Sequence, residues 1–349
     1  MIDFLFTLDY EVYGNGTGSL AELVYEPGQQ LEKIFRKHNA RFVNFVEVAE
    51  FEKIEALGTD PAIDLVKEQI RAFHRDGFEI ALHLHPQWCN ARPESGGWRL
   101  DYSEYNLCTL QPARIEQIVE GALQYLRGVV GQPDFTPLSF RAGNWLFQPS
   151  RHAAAVLAQN GIRLDSSVFK GGLQHNHGLD YRRTMRHGYH WNFVSDVTVP
   201  DATGEWFEVP IYTEMVPVWR MSTSKRMAFN RRKAPASPMA PPKDAATKWN
   251  RMRDFMRWRY PLKLDFCRMT MDELVAMTGR IIQADRADPA TYRPIVAIGH
   301  TKDLTDPHTV DEFLSFLGAS GIPVVTFKDV IGKLAQQRAA LGALVAVEI

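Results

Sequence analysis

The amino-acid sequence predicts an α/β protein built as a barrel, with parallel strands around a core and helices outside. Three observations carry this prediction. Short apolar runs alternate with helix-period stretches, the pattern of strands joined by crossover helices. A chain of 349 residues with 45% hydrophobic residues can bury one large core, and α/β barrels reach this length as a single domain. The stretches that break the alternation each follow a strand, where a barrel carries its functional loops. The expectation is one domain over residues 1–349, with insertions at about 86–111, 170–205 and 213–268.

The strand candidates, in order, are "DFLFTL", "RFVNFVEV", "FEIALHL", "PLSF", "RLDSSV", "FEVPIY", "PIVAIGH" and "PVVTF". Helices between them carry start signals. Pro27 precedes "QQLEKIFRKH", Asp60 and Pro61 precede "IDLVKEQIRAFHRDG", Pro112 precedes "ARIEQIVEGALQYLRG", and Pro149 with Ser150 precedes "RHAAAVLAQNG". Three of these end on or near glycine, as a left-handed C-cap prefers. The largest insertion contains a Pro/Ala/Ser-rich stretch, read as a loop, and "ATKWNRMRDFMRWRYP", read as a helix with Trp249, Met252, Met256 and Tyr260 near one face. Its basic run, residues 220–263, is either a solvated helix face or a contact for an acidic partner, a phosphate-bearing substrate or a membrane surface.

Whole-chain electrostatics name no partner. A formal charge of −1 and a pI near 6.8 give no field that would gather nucleic acid. The opening "MIDFLFTLDYE" lacks a basic n-region and a long apolar h-region, and no run approaches the ~20 residues of a bilayer crossing. Cys89, Cys108 and Cys267 show no metal-type spacing. The expectation is a cytoplasmic protein with reduced thiols and no transmembrane segment.

The chemistry gathers at strand ends. Asp9 and Glu11 close the first strand two residues apart, so their carboxylates share a face and repel unless a cation lies between them. His83 and His85 in "EIALHLHPQW" have the same spacing at the same end of the sheet. Alone, H-x-H is either a metal pair or two polar rim histidines. Together with D-x-E on another strand it favours a three-ligand site with an open position for water. Arg141 in "LSFRAGNW" either holds a carboxylate through two hydrogen bonds or forms a rim salt bridge. Asp165 ends the short fifth strand and His300 ends "PIVAIGH". Trp88, Trp98 and Trp145 either stack on a sugar ring or pack their loops onto the barrel. The cluster "HNHG", without a carboxylate or cysteine at ligand spacing, reads as a polar loop.

The order "TLDYE", "EIALHLHP", "SFRAGNW", "GIRLDSSVF", "AIGH" resembles the polysaccharide deacetylase superfamily, the NodB-homology group of family 4-like carbohydrate esterases. The similarity covers about Ile2 to Lys170 and resumes from about Arg293 to Val330. It implies a distorted (β/α)7–8 barrel and a divalent metal, usually zinc, with cobalt, nickel or iron as alternatives. It also implies metal ligands Glu11, His83 and His85, Asp9 as base, Arg141 orienting that base, His300 as general acid and Asp165 tuning it. Trp88, Asn144 and Trp145 would meet the substrate. Three features depart from the family pattern: histidines two rather than four apart, Gly143 in place of a common proline, and "DYE" in place of adjacent aspartates with Tyr10 turned into packing.

The implied activity is removal of an N-acyl group, acetyl above all, from an amino sugar of a surface-polysaccharide or glycan precursor, nucleotide- or lipid-linked. Two rivals stand beside it: an inactive barrel that binds a glycan or protein partner through the basic insertion, and an amidohydrolase-type metal hydrolase, in which H-x-H lies on the first strand. A glycosidase is excluded on geometry, because acids on one strand face the same side whereas glycosidase acids flank the bond.

Overall fold

The computed structural model describes residues 1–94, 97–184, 188–221, 249 and 257–334. Its strands in chain order are β1 (Ile2–Tyr10), β2 (Val43–Glu47), β3 (Glu79–Leu84), β4 (Arg92–Glu94), β5 (Gly97–Arg99), β6 (Ser139–Ala142), β7 (Leu164–Asp165), β8 (Leu173–Gln174), β9 (Leu179–Asp180), β10 (Trp191–Phe193), β11 (Trp206–Glu208), β12 (Thr213–Pro217), β13 (Arg259–Lys263) and β14 (Arg293–His300). Eight of them form one curled sheet in the order β10-β11-β7-β6-β3-β2-β1-β14. All neighbours in it are parallel except β10 and β11. Strands buried on both faces read as continuous apolar runs, and β1 is the example, with Phe4, Leu5, Phe6 and Leu8 wholly buried. Phe6 meets Phe35, Phe266 and Phe313 edge-on, so one strand side chain ties together three segments distant in sequence.

The free edge of β14 is met by short bridges instead of a full strand. Tyr212 N–H donates to the Val296 carbonyl and Phe266 N–H to that of Ile298, while Ile211 also bridges Phe169. These contacts curl the sheet toward closure and make the predicted sixth strand shorter than "FEVPIY" suggests. "PVVTF" likewise contributes a bridge from Val324 to Phe4 rather than a strand.

The crossovers are α1 (Glu26–Lys37), α2 (Val48–Leu57), α3 (Ile63–Arg75), α4 (Pro112–Val130), α5 (Arg151–Gln159), α6 (Met271–Ala287) and α7 (Pro307–Ala319). The glycine stops hold: Gly77, Gly131 and Gly161 all take positive φ just past α3, α4 and α5. Helix α6 starts with a full capping box, Thr270 with Glu273.

Each insertion carries a small antiparallel pair. The third is framed by β12 and β13, paired from Thr213↔Lys263 to Pro217↔Arg259. The helix expected over 246–261 is corrected at its end, since Tyr260 lies in β13. Trp249 is helical and exposed, whereas Met252 and Met256 and the Pro/Ala/Ser-rich stretch lie outside the described residues. Among the described residues no helix is long and apolar enough to cross a membrane.

Candidate metal centre at the barrel rim

Parallel strands all finish at the same rim, and the ladder registers decide which side chains meet there. Asp9 is the register partner of His300, Glu47 that of His83, and His83 that of Arg141. Register partners in a parallel sheet share a face, so these groups form a row pointing into the barrel. Glu11 and His85 follow their strand-mates at i+2 and extend the row outward by one step. Asp9, Glu11, Glu47, His83, His85, Arg141 and His300 are all buried.

The donor atoms converge. Glu11 Oε2 lies 3.5 Å from His83 Nε2 and 3.3 Å from His85 Nδ1, and Glu47 Oε2 lies 2.8 Å from the same His85 nitrogen. Asp9 Oδ2 is 4.0 Å from His83 Nε2 and 3.4 Å from His300 Nε2. The imidazoles of His83 and His85 meet edge-on at 4.8 Å between centroids. His83 Nδ1 lies 2.8 Å from the Arg141 carbonyl, so that nitrogen carries a proton and Nε2 is the one turned to the acids.

Two cations neutralise part of the negative charge. Arg141 Nη1 donates to Asp9 Oδ1 at 2.5 Å, Nη2 to Thr7 Oγ1 at 2.9 Å, and Nε to the Ser166 carbonyl at 2.8 Å, with the guanidinium 4.1 Å above the Phe45 ring. Lys302 Nζ donates to Glu11 Oε1 at 2.5 Å and to the Val12 carbonyl at 2.9 Å.

Burial alone would push both acids up. Arg141, His83 and His300 together hold Asp9 below its ordinary value, and Lys302 with the two histidines holds Glu11 well below. Burial would likewise lower His83, but Asp9 and Glu11 raise it to about 9. Behind them Glu50 is pushed well above the carboxylate range, by burial first and then by Glu47 and Glu11. Acids this crowded attract a cation, and Glu11, Glu47, His83 and His85 each offer an atom within 4.8 Å of the others. Two imidazoles with carboxylates suit a first-row divalent metal, so the residues fit the ion that the resemblance implies.

Several expected residues are placed differently. Asp165 is the register partner of Phe140, next to Arg141 in sequence, and so lies on the opposite face of the sheet from the row of site residues. There Ser167 donates to it through Oγ at 2.6 Å and N–H at 3.0 Å, and burial, the largest influence, raises its pKa. The acid beside His300 is instead Asp303, whose Oδ2 lies 3.3 Å from His300 Nδ1 and 2.5 Å from Arg268 Nη2. Trp88 is wholly covered and packs edge-on against buried Trp98 at 5.0 Å, so both take the packing role.

Trp145 stays part-exposed near His300, at 6.5 Å between centroids, with Lys263 Nζ 3.0 Å from its own ring centroid. Asn144, before it, takes positive φ and leaves its buried Nδ2 without a hydrogen-bond partner. Tyr10 does turn into packing, its hydroxyl donating to Gln69. The "HNHG" turn places His177 against the Tyr105 ring, at 4.4 Å between centroids.

The reading of the sequence passed over Glu47, Lys302, Asp303 and Arg268. Glu47 carried a usable signal, an acid ending "FVNFVE" just as Asp9 ends the first strand. Lys302 and Asp303 stand two and three residues after His300, but only the tight turn Thr301–Asp303 folds both back onto the rim.

No family model and no curated protein matches the chain. Among solved structures it resembles a protein from Mycobacterium smegmatis named as a polysaccharide deacetylase, at TM-score 0.53 and 15% identity, covering 97% of this chain and 91% of that one. The chain has the fold of the polysaccharide deacetylases. Weaker likenesses are to a protein so named from Pseudomonas aeruginosa PAO1, at TM-score 0.48 and 14% identity over 94% and 89% of the two chains, and to a family 4 carbohydrate esterase from Streptomyces lividans, at TM-score 0.41 and 11% identity over 92% and 91%. The curled parallel sheet and the Mycobacterium smegmatis structure bear out the expected barrel, and the centre lies at the rim that its parallel strands share.

Proposed function

We propose that this chain is a metal-dependent hydrolase that removes an N-acyl group, acetyl above all, from an amino sugar of a glycan precursor. The observation that carries the reading is the convergence of Asp9, Glu11, His83, His85, Arg141 and His300, from four strands, within one buried cluster on a deacetylase-type barrel. Glu11, His83 and His85 would hold the ion, zinc or another first-row divalent metal, and when bound it supplies Lewis acidity and a lowered pKa for water.

The remaining chemistry belongs to the chain. Arg141 fixes one oxygen of Asp9 and leaves Oδ2 turned to the site, where it can take a proton from attacking water. His300 Nε2 stands 3.4 Å from that oxygen, within reach of the departing amine, and Asp303 Oδ2 lies 3.3 Å from its Nδ1, where it would steady the ring. Asn144 Nδ2, buried and unpartnered, and the part-exposed Trp145 lie where an acylated sugar would enter. The substrate belongs to the proposal as well: a nucleotide- or lipid-linked precursor met in the cytoplasm, in keeping with three free cysteines.

The test is to purify the full chain, measure bound metal, and assay acetate release from N-acetylated sugar nucleotides and lipid-linked glycans. Metal in the purified chain, release on at least one substrate, and loss of both on Glu11→Ala are expected. Folded protein that holds no divalent ion and keeps its activity after Glu11→Ala removes the mechanism.

A further inference from the structure

We propose that Glu47 is a fourth protein ligand, so that this centre uses two imidazoles and two carboxylates rather than the three donors the sequence pattern implies. The inference rests on the reading of the site as a metal centre and goes further by assigning its donor set.

The argument starts from His85. Its Nδ1, not Nε2, faces the acids, 3.3 Å from Glu11 Oε2 and 2.8 Å from Glu47 Oε2. The opposite edge of the ring is pressed on the backbone at Gly143, where even a Cβ would come within 2.6 Å of His85 Cδ2. A nitrogen that gives its lone pair to an ion carries no proton for Glu47. If Nδ1 is a ligand, Glu47 Oε2 is therefore not a hydrogen-bond acceptor behind it but a neighbour within the same coordination shell.

The spacings agree with this. Donors at about 2.0–2.2 Å from a common ion, at the angles of a tetrahedron or octahedron, stand roughly 2.8–3.6 Å apart. His85 Nδ1 to Glu47 and to Glu11, and His83 Nε2 to Glu11, are 2.8, 3.3 and 3.5 Å, and all four donors lie within 4.8 Å of one another.

Charge points the same way. Asp9 is paired with Arg141 and Glu11 with Lys302. Among the described residues Glu47 is wholly buried, and His85 is the one basic side chain that touches it. A carboxylate that is buried in its charged form needs a partner of opposite charge, and a divalent ion would supply it. The side chain is also braced from behind, since Glu47 Oε1 accepts from the Glu50 N–H at the start of α2 and Oε2 is left for the site.

Four protein donors would close a tetrahedral site to water, so an ion serving hydrolysis here must take five or six. The class is a divalent first-row metal comfortable at that number, such as cobalt, iron or manganese.

The experiment uses the full chain, stripped of metal and titrated with cobalt(II), read by the visible ligand-field spectrum and by competition with a chelator. Glu47→Gln keeps an oxygen to cap α2 but loses the charged donor. Its cobalt dissociation constant is expected to rise by more than about 100-fold, beyond the 10–100-fold that loss of an outer partner costs, and its saturated spectrum to differ from wild type. Should that variant fail to fold, Glu47→Asp keeps charge and cap while withdrawing the carboxylate, and the same changes are expected. A saturated spectrum unaltered in position and intensity makes Glu47 an outer partner and overturns the proposal. A wild-type chain that takes up no cobalt overturns the metal-centre reading itself, and is recognised before any variant is made.

Discussion

Arg141 is the residue on which the proposed catalytic geometry leans most heavily. Its guanidinium is wholly buried, fixes Asp9, and also donates to Thr7 and Ser166. Arg141→Met retains the apolar stem beside Phe45 and deletes the charge. Removing one member of a buried pair leaves the other uncompensated, at a cost of about 3–5 kcal/mol. In Asp9→Asn/Arg141→Met no charge is stranded, so the double variant should recover a coupling energy of about 2–3 kcal/mol relative to the summed single variants.

The pH dependence has a definite sign. Asp9 in the wild type is held below its ordinary 3.8, so its contribution to stability is present above that pH and lost as pH falls through the folded value. Burial is already the largest influence on Asp9 and Arg141 its strongest opponent, so in Arg141→Met the carboxyl should move up and the variant's deficit should grow as pH rises from 4 toward 7. Urea unfolding of the four proteins with chelator present, across that range, measures both quantities. A coupling within about 0.5 kcal/mol of zero, or a deficit flat in pH, would refute the pairing.

Three further outcomes are expected. Gly143→Ala places a Cβ 2.5 Å from the Leu84 carbonyl and 2.6 Å from His85 Cδ2, so it should displace that ring and weaken metal uptake, as isothermal titration against wild type would show; unchanged affinity would mean the ring is not held there. Glu79, at the foot of β3, is raised to about 7 by burial, so it costs nothing below its ordinary 4.5, and the cost accumulates as pH rises from 4.5 to about 7 and is constant above; Glu79→Gln should gain about 2–3 kcal/mol at pH 8 and little at pH 4 in the same unfolding assay. Asp303→Asn should lower kcat by roughly 10²-fold or more with little change in KM if it holds His300, whereas Asp165→Asn, on the far face, should act on stability instead; equal kcat losses from both would contradict the register.

How much of this was legible beforehand follows from the periods involved. D-x-E and H-x-H were readable because i and i+2 on a strand share a face, and because parallel strands deliver their last residues to one rim, so Asp9, Glu11, His83, His85, Arg141 and His300 could be gathered without a register. Asp165 shows the limit. It lies on a strand as expected, yet pairing with Phe140 instead of Arg141 turns it to the other face, and nothing local reveals a shift of one. Asp303, brought in by a turn, stands in its place beside His300.

The basic insertion shows the same limit at longer range. Residues 259–263 resemble the end of a helix in their own neighbourhood, yet they pair with Thr213–Pro217 across the whole insertion. The sequence by itself determined the barrel, the rim and the identities of the acids, bases and cations that gather there, because apolar period and strand alternation are local. Which carboxylate faces which histidine was decided by the tertiary structure, since strand register and turn closure depend on contacts between residues hundreds of positions apart, as the ladder joining Asp9 to His300 makes plain.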